Sequence, residues 1–202
     1  MQVIGINGSP RGQGNTSYFL NFTLEKLGEH DMDADLINLE NLNIGQCRGC
    51  YYCQEHKECE VQDDFTAVFS RMLAADGIII GSPVYHSAVT SKLKALLNRA
   101  GFVGRWKGYQ AAEKDNYQWK TTAFSGKIAA PITVARRAGQ NFAFAELILW
   151  MTVNDLIVVG SNYWSIGVAG RGGAFDAEED EEALVILEHL AANISSLLKK
   201  LY

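Results

Sequence analysis

No apolar run in this chain approaches the roughly 18 residues that a membrane-spanning helix needs, and the strongest, Gly77-Ile78-Ile79-Ile80, stops at Gly81-Ser82-Pro83. Positive charge is not in excess either. The 18 Lys and Arg face 23 Asp and Glu, a formal net charge of -5 that argues against nucleic acid or an anionic membrane as the main partner. Also absent are a Gly/Ser/Pro-rich linker, an internal repeat and a low-complexity tract. With 202 residues, 48% of them hydrophobic, the chain reads as one domain over 1–202 with one sizeable core. Its start, Met1-Gln2-Val3-Ile4, has neither the basic nor the apolar region of a secretory signal, which predicts a cytoplasmic protein, where structural disulfides are rare.

Short apolar runs alternate with amphipathic stretches, the pattern of parallel strands joined by helices. Strands are expected at Gln2 to Asn7, Ala34 to Leu39, Gly77 to Gly81, Ile128 to Val134 and Leu156 to Gly160. Helices are expected at Thr16 to Gly28, from the Asp63-Asp64 cap through Leu73, at about Val89 to Ala100, at Gln140 to Met151 and at Glu181 to Leu201. Acidic Glu178-Glu179-Asp180-Glu181-Glu182 opens the last helix and Lys199-Lys200 closes it, as the helix dipole favours. The fold class is therefore α/β: a flavodoxin-like doubly wound five-stranded parallel sheet of order 2-1-3-4-5 with helices on both faces. Ligands of such sheets sit beyond the carboxyl ends of the strands.

All four cysteines fall in one run, Cys47, Cys50, Cys53 and Cys59, spaced C-x2-C-x2-C-x5-C, inside a loop at about 43–62. The spacing approaches the C-x2-C-x2-C of bacterial ferredoxins, although five residues precede the fourth cysteine and no proline follows it. A [4Fe-4S] cluster is the leading assignment. Structural zinc usually uses two separated knuckles joined by a long loop, which is missing here. Ordinary thiols in a loop without a cluster remain the plain alternative.

The loop after the first strand, Gly8-Ser9-Pro10-Arg11-Gly12-Gln13-Gly14-Asn15-Thr16-Ser17, precedes a helix and combines glycines, hydroxyls, an amide and an arginine. Helix-start N–H groups with Ser9, Asn15, Thr16 and Ser17 would cradle a phosphate, and Arg11 supplies charge. The loop is neither a Walker A motif nor G-x-G-x-x-G in the dinucleotide register, which favours a monophosphate. A Gly-rich turn with Ser and Asn caps is the bland reading. After the third strand, Gly81-Ser82-Pro83-Val84-Tyr85-His86 repeats the Gly-Ser-Pro. Two of only three prolines thus occupy equivalent strand ends, where a fixed φ shapes a rigid lip beside a flat ligand. Tyr85 would pack on or beside an aromatic ring, and His86 is read more readily as a surface histidine than as an acid or base.

These segments, with Ser91-Lys92-Leu93-Lys94 and Asn98-Arg99, resemble the NADPH-dependent FMN reductase family of flavodoxin-like proteins. With Cys47, Cys50, Cys53 and Cys59 after the second strand, the chain is similar to the iron-sulfur flavoprotein branch of that family. The resemblance implies FMN with its phosphate on the Ser9 to Ser17 loop and its ring against Pro83, Val84, Tyr85 and His86. A third loop at Ala135, Arg136, Arg137, Ala138 and Gly139 completes the site in the family. There Arg136 or Arg137 would stabilise negative charge on the reduced ring, or simply be solvated. The resemblance also implies a homodimer or homotetramer. Electrons would pass between a ferredoxin-like donor or NAD(P)H, the cluster, FMN and a small-molecule acceptor, with no catalytic side chain required. Two rivals are an NAD(P)H-dependent FMN or quinone reductase without a cluster, and a redox-sensing or electron-carrier binding module. One departure from the family is an inserted aromatic loop at about 102–126, from Arg105-Trp106-Lys107 to Tyr117-Gln118-Trp119, read as a lid, an oligomer contact or a solvent-exposed excursion.

Overall fold

The computed structural model describes residues 1–108, 121–168 and 177–202. The apolar runs form the middle of a parallel sheet. β1 (Gln2–Asn7), β3 (Gly77–Pro83) and β4 (Ile128–Ala135) are buried along almost their whole length, as strands covered on both faces must be. β2 (Asp33–Asn38), more polar and more exposed, lies at one edge. With β5 (Ile157–Val158) at the far side, the parallel order is β2-β1-β3-β4-β5, the flavodoxin-like order expected from the sequence.

Successive side chains of each strand point to opposite faces, which makes two cores. On one face Ile4, Ile6, Ile78 and Ile80 meet Phe65, Leu93, Leu96 and Leu147, carried by α3 (Phe65–Ala74), α4 (Ser91–Gly108) and α5 (Gln140–Val153). On the other, Val3, Ile79, Ile128 and Ile132 meet Phe19, Leu20, Leu187 and Leu190 of α1 (Asn15–Glu29) and α6 (Glu181–Leu201). No helix among the described residues is long and apolar enough to cross a membrane.

Three elements differ from the sequence expectation. The last strand is two residues instead of five, the chain leaving the β4 edge after Val159 and bending at Asn162 and Tyr163, and a sixth strand, β6 (Ile166–Val168), takes over the edge beside the end of β4. Pro131 explains why this handover is tolerated. β5 pairs Ile128 and Ala129, β6 pairs Thr133 to Ala135, and the N–H that Pro131 lacks points at the gap between them. Second, α4 does not stop near Ala100 but runs to Gly108, continuing the buried stripe Leu93, Leu96, Leu97, Ala100, Val103. The expected 102–126 loop therefore begins as helix, and its Tyr109 to Trp119 portion lies outside the described residues. Third, the cysteine segment contains a short helix, α2 (Tyr52–His56).

Candidate functional site

Two pockets gather the residues that the sequence singles out. The first lies at the carboxyl ends of the strands, where neighbouring strands lock the loops together. Gly8 N donates to Gly81 O at 2.8 Å and Val84 N to Val134 O at 2.8 Å, so the two Gly-Ser-Pro segments and the end of β4 sit side by side. A Cβ on Gly8 would lie 2.6 Å from Leu93 Cδ2 and 3.0 Å from Gly81 O, which is why glycine occupies this crossing. Thr90 Oγ1 donates to Gly8 O at 2.6 Å, and Thr90 N donates to Ser82 Oγ at 3.2 Å, so a single buried threonine ties both loops to the start of α4.

The cavity between these loops measures about 320 Å³ and is lined by Ser9, Arg11, Asn15 and Thr16 on one side and by Pro83, Val84 and Tyr85 on another. Ala135 and Arg136 close it, together with Val134, which sequence reasoning did not single out. Ser17 does not line it. Its hydroxyl instead accepts from Gly14 N at 2.9 Å and donates to Gly14 O at 2.8 Å, fixing the turn that enters α1. His86 also stands outside, at the tip of a tight turn closed by paired Tyr85 and Ala88 bonds, with His86 and Ser87 left-handed at φ 49 and 65. Gly139, at φ +89, packs beneath that turn, where a Cβ would lie 3.0 Å from Ser87 Oγ. Among the described residues, the pocket retains one buried, unpartnered donor, Asn15 Nδ2. A cavity of this size with an arginine, hydroxyls and an orphaned amide at one end and an apolar lip at the other fits a flat ligand with a phosphate tail.

The second pocket is built from the loop between β2 and α3. Cys47, Cys50, Cys53 and Cys59 all line one cavity, walled by Arg99, Phe102 and Val103 of α4. All four are free thiols. Burial pushes the Cys53 thiol up from its ordinary value. Left-handed residues at Gly49, Tyr51 and Lys57, with φ of 65, 58 and 61, wind the run tightly enough for distant cysteines to face one space. Among the described residues, no three His, Cys, Asp or Glu side chains converge tightly enough for a single metal ion. Four thiols distributed around one cavity fit a polynuclear centre, which takes one thiolate at each corner.

Side chains from α3 and α4 hold this loop. Arg99 is fully buried and each of its three nitrogens is bonded: Nε donates to Cys59 Sγ at 3.3 Å, Nη1 to Asp63 Oδ1 and Oδ2 at 2.8 and 2.7 Å and to Gly45 O at 3.1 Å, and Nη2 to Val61 O at 2.8 Å. The guanidinium lies over the Phe65 ring, 4.1 Å from its centroid. Burial alone would raise the Asp63 pKa, but Arg99 and the Gly45 and Phe65 N–H groups outweigh it and hold the carboxyl below its ordinary value. Sequence reasoning had Asp63-Asp64 as a helix cap. Asp63 does accept from Phe65 N at 3.1 Å, yet both carboxylates also reach back to the cysteine loop, Asp63 to Gly45 N at 2.8 Å and Asp64 to Asn43 N at 2.6 Å. Two turns earlier on α4, Lys92 Nζ donates to Leu39 O and Glu40 O at 3.0 and 2.7 Å, pinning the point where the loop leaves β2.

Similarity to known proteins follows the same outline. An iron-sulfur flavoprotein of Methanocaldococcus jannaschii is 30% identical over 204 residues, covering 98% of both chains. The fold matches the crystal structure of RosB with a bound 8-demethyl-8-formylriboflavin 5'-phosphate intermediate, with a TM-score of 0.75 at 15% identity over 100% of this chain and 80% of that one. It also matches a flavodoxin from the domain Archaea, with a TM-score of 0.61 at 12% identity over 98% and 99%. Residues 1–171 match the model of the NADPH-dependent FMN reductase family, and the chain belongs to that family.

Proposed function

We propose that this chain is an FMN-dependent oxidoreductase that exchanges electrons between a [4Fe-4S] cluster in the cysteine pocket and FMN in the strand-end pocket, within one flavodoxin-like domain over residues 1–202. The observation that carries this reading is that one chain holds both a flavin-sized cavity at its strand ends and a separate cavity lined by four thiols. Bound FMN supplies the redox chemistry, taking electrons in pairs or singly. The protein's part is placement and charge. Asn15 Nδ2, Ser9, Thr16 and the N–H groups at the start of α1 bind the phosphate, with Arg11 as its counter-charge. Ser17 holds their loop in shape. Pro83, Val84 and Tyr85 form the lip for the ring, with His86 and Gly139 shaping the turn behind it. Arg136, on the cavity wall beside Ala135, stabilises the negative charge that the site gains on reduction. Cys47, Cys50, Cys53 and Cys59 hold the metal centre.

The electron donor is a ferredoxin-like protein or NAD(P)H, and the acceptor is a small molecule. Exposed Phe142, Leu149 and Val153 on α5, with Phe102 on α4, support association of copies into a homodimer or homotetramer. The test is an anaerobic absorption spectrum with iron and sulfide analysis, before and after NAD(P)H and then dithionite. Flavin bands over a broad iron-sulfur shoulder are expected. A pure flavin spectrum bleached by NAD(P)H, without iron, selects the simple reductase instead.

A further inference from the structure

We propose that Arg99 is a positioning residue for the metal centre: its Nε–H bond to Cys59 Sγ singles out one of the four thiolates and raises the reduction potential of the centre. The inference rests on the cluster reading above. Arg99 and Cys59 are 40 positions apart, and the 3.3 Å bond is made by a guanidinium whose other two nitrogens donate to Asp63, Gly45 and Val61. The head group therefore has no freedom to turn away from the sulfur. Asp63 balances its charge, the Phe65 ring covers its face, and Arg99 itself walls the cavity that the thiols line. A plain structural arginine would need only the carboxylate and carbonyl contacts. Here Nε–H is directed at a sulfur as well.

The chemical consequence follows from charge. Adding one electron to a thiolate-bound cluster increases the negative charge shared with its sulfurs, and an N–H pointing at a sulfur stabilises the more negative state. Around Cys59 the donor is cationic and buried, where such bonds are strongest. Among the described residues, none of the other three cysteine sulfurs receives a side-chain donor, and only a neutral backbone N–H lies beside the Cys53 sulfur. The bias is therefore directed to the Cys59 corner of the centre.

Arg99→Lys separates this role from structural support. Lysine keeps the positive charge beside Asp63 but puts a methylene where Nε–H stands, so the bond to sulfur is lost together with part of the fork's other contacts, and the iron content reports whether the loop still holds the centre. Wild type and Arg99→Lys are purified anaerobically, their iron and sulfide measured, and their midpoint potentials determined by redox titration followed by electron paramagnetic resonance. The variant is expected to retain iron and to be about tenfold harder to reduce at a given poise, a fall of about 59 mV for a one-electron couple. A second measurement leaves Arg99 in place: pulsed resonance on reduced wild type, labelled with ¹⁵N in arginine side chains only, is expected to show a nitrogen coupled to the centre, and the coupling is expected to persist in Arg48→Gln, which removes the other arginine on the cavity wall. An unchanged potential in an iron-replete variant, or no ¹⁵N coupling in the wild type, overturns the role of Arg99 and leaves the cluster reading intact. Wild type that takes up neither iron nor sulfide overturns the cluster reading, and this inference falls with it.

Discussion

The two pockets of this chain are built by opposite means. At the strand ends, backbone does the positioning: inter-strand bonds such as Gly8 N to Gly81 O and Val84 N to Val134 O carry the register of a buried parallel sheet into the loops. The cysteine loop has no sheet to lean on. It carries one short helix and depends on side chains reaching in from α3 and α4, above all the buried pair of Arg99 and Asp63. The difference teaches that the first pocket exists wherever the sheet folds, whereas the second stands or falls with a few long-range polar contacts. On the function proposed above, the two pockets should therefore load separately.

Removing a thiol should break the comparison most sharply. Cys53→Ser is expected to abolish stoichiometric iron binding while leaving FMN at one per chain, read by iron analysis and flavin absorbance on the same sample. Concerted loss of both would show that the pockets depend on each other. Next comes Arg99→Ala, which strands the buried Asp63 carboxylate and should cost about 3–5 kcal/mol in urea unfolding. Removing both charges with Arg99→Met and Asp63→Asn together should recover most of that loss, because the cost lies in the unpaired ion. A third change acts on the other pocket: Gly8→Ala forces a Cβ against Leu93 and the Gly81 carbonyl. It should cost about 1–3 kcal/mol and weaken FMN binding while iron content stays constant.

What the sequence made legible follows the same division. Local signals located the sheet: the runs at Gln2 to Asn7, Gly77 to Gly81 and Ile128 to Val134 are buried strands because they are mostly apolar on both faces, and the matching Gly-Ser-Pro ends meet because the strands are neighbours. The cysteines could be grouped because they are close in sequence. Arg99 and Asp63, 36 positions apart, carry no local mark of their partnership. The extra length of α4 was available in the spacing of Ala100 and Val103, but Arg105, Trp106 and Lys107 read as loop when their helix is not in view. The split of the last edge into β5 and β6 is a tertiary outcome, since nothing local says that two short segments will share one side of β4.

The smallest effect is confined to acid, and it sharpens the comparison by asking which pocket loosens first. Burial raises the Asp63 pKa, but Arg99 and two backbone N–H groups more than offset it, so the folded value lies below that of the unfolded chain. A depressed carboxyl contributes stability that is fully present above the unfolded value, near 3.9 for an aspartate, and is lost as pH falls through the folded one. Stability measured on the metal-free protein should therefore be insensitive to Asp63 between about pH 7 and pH 5 and should decline below about pH 4. Hydrogen exchange in that acid range should rise in residues 43–62 before it rises in β1 and β3. Asp63→Asn should be less stable at neutral pH and show a flatter acid decline. If both regions open together and the variant keeps the wild-type slope, the buried pair is not what distinguishes the two pockets.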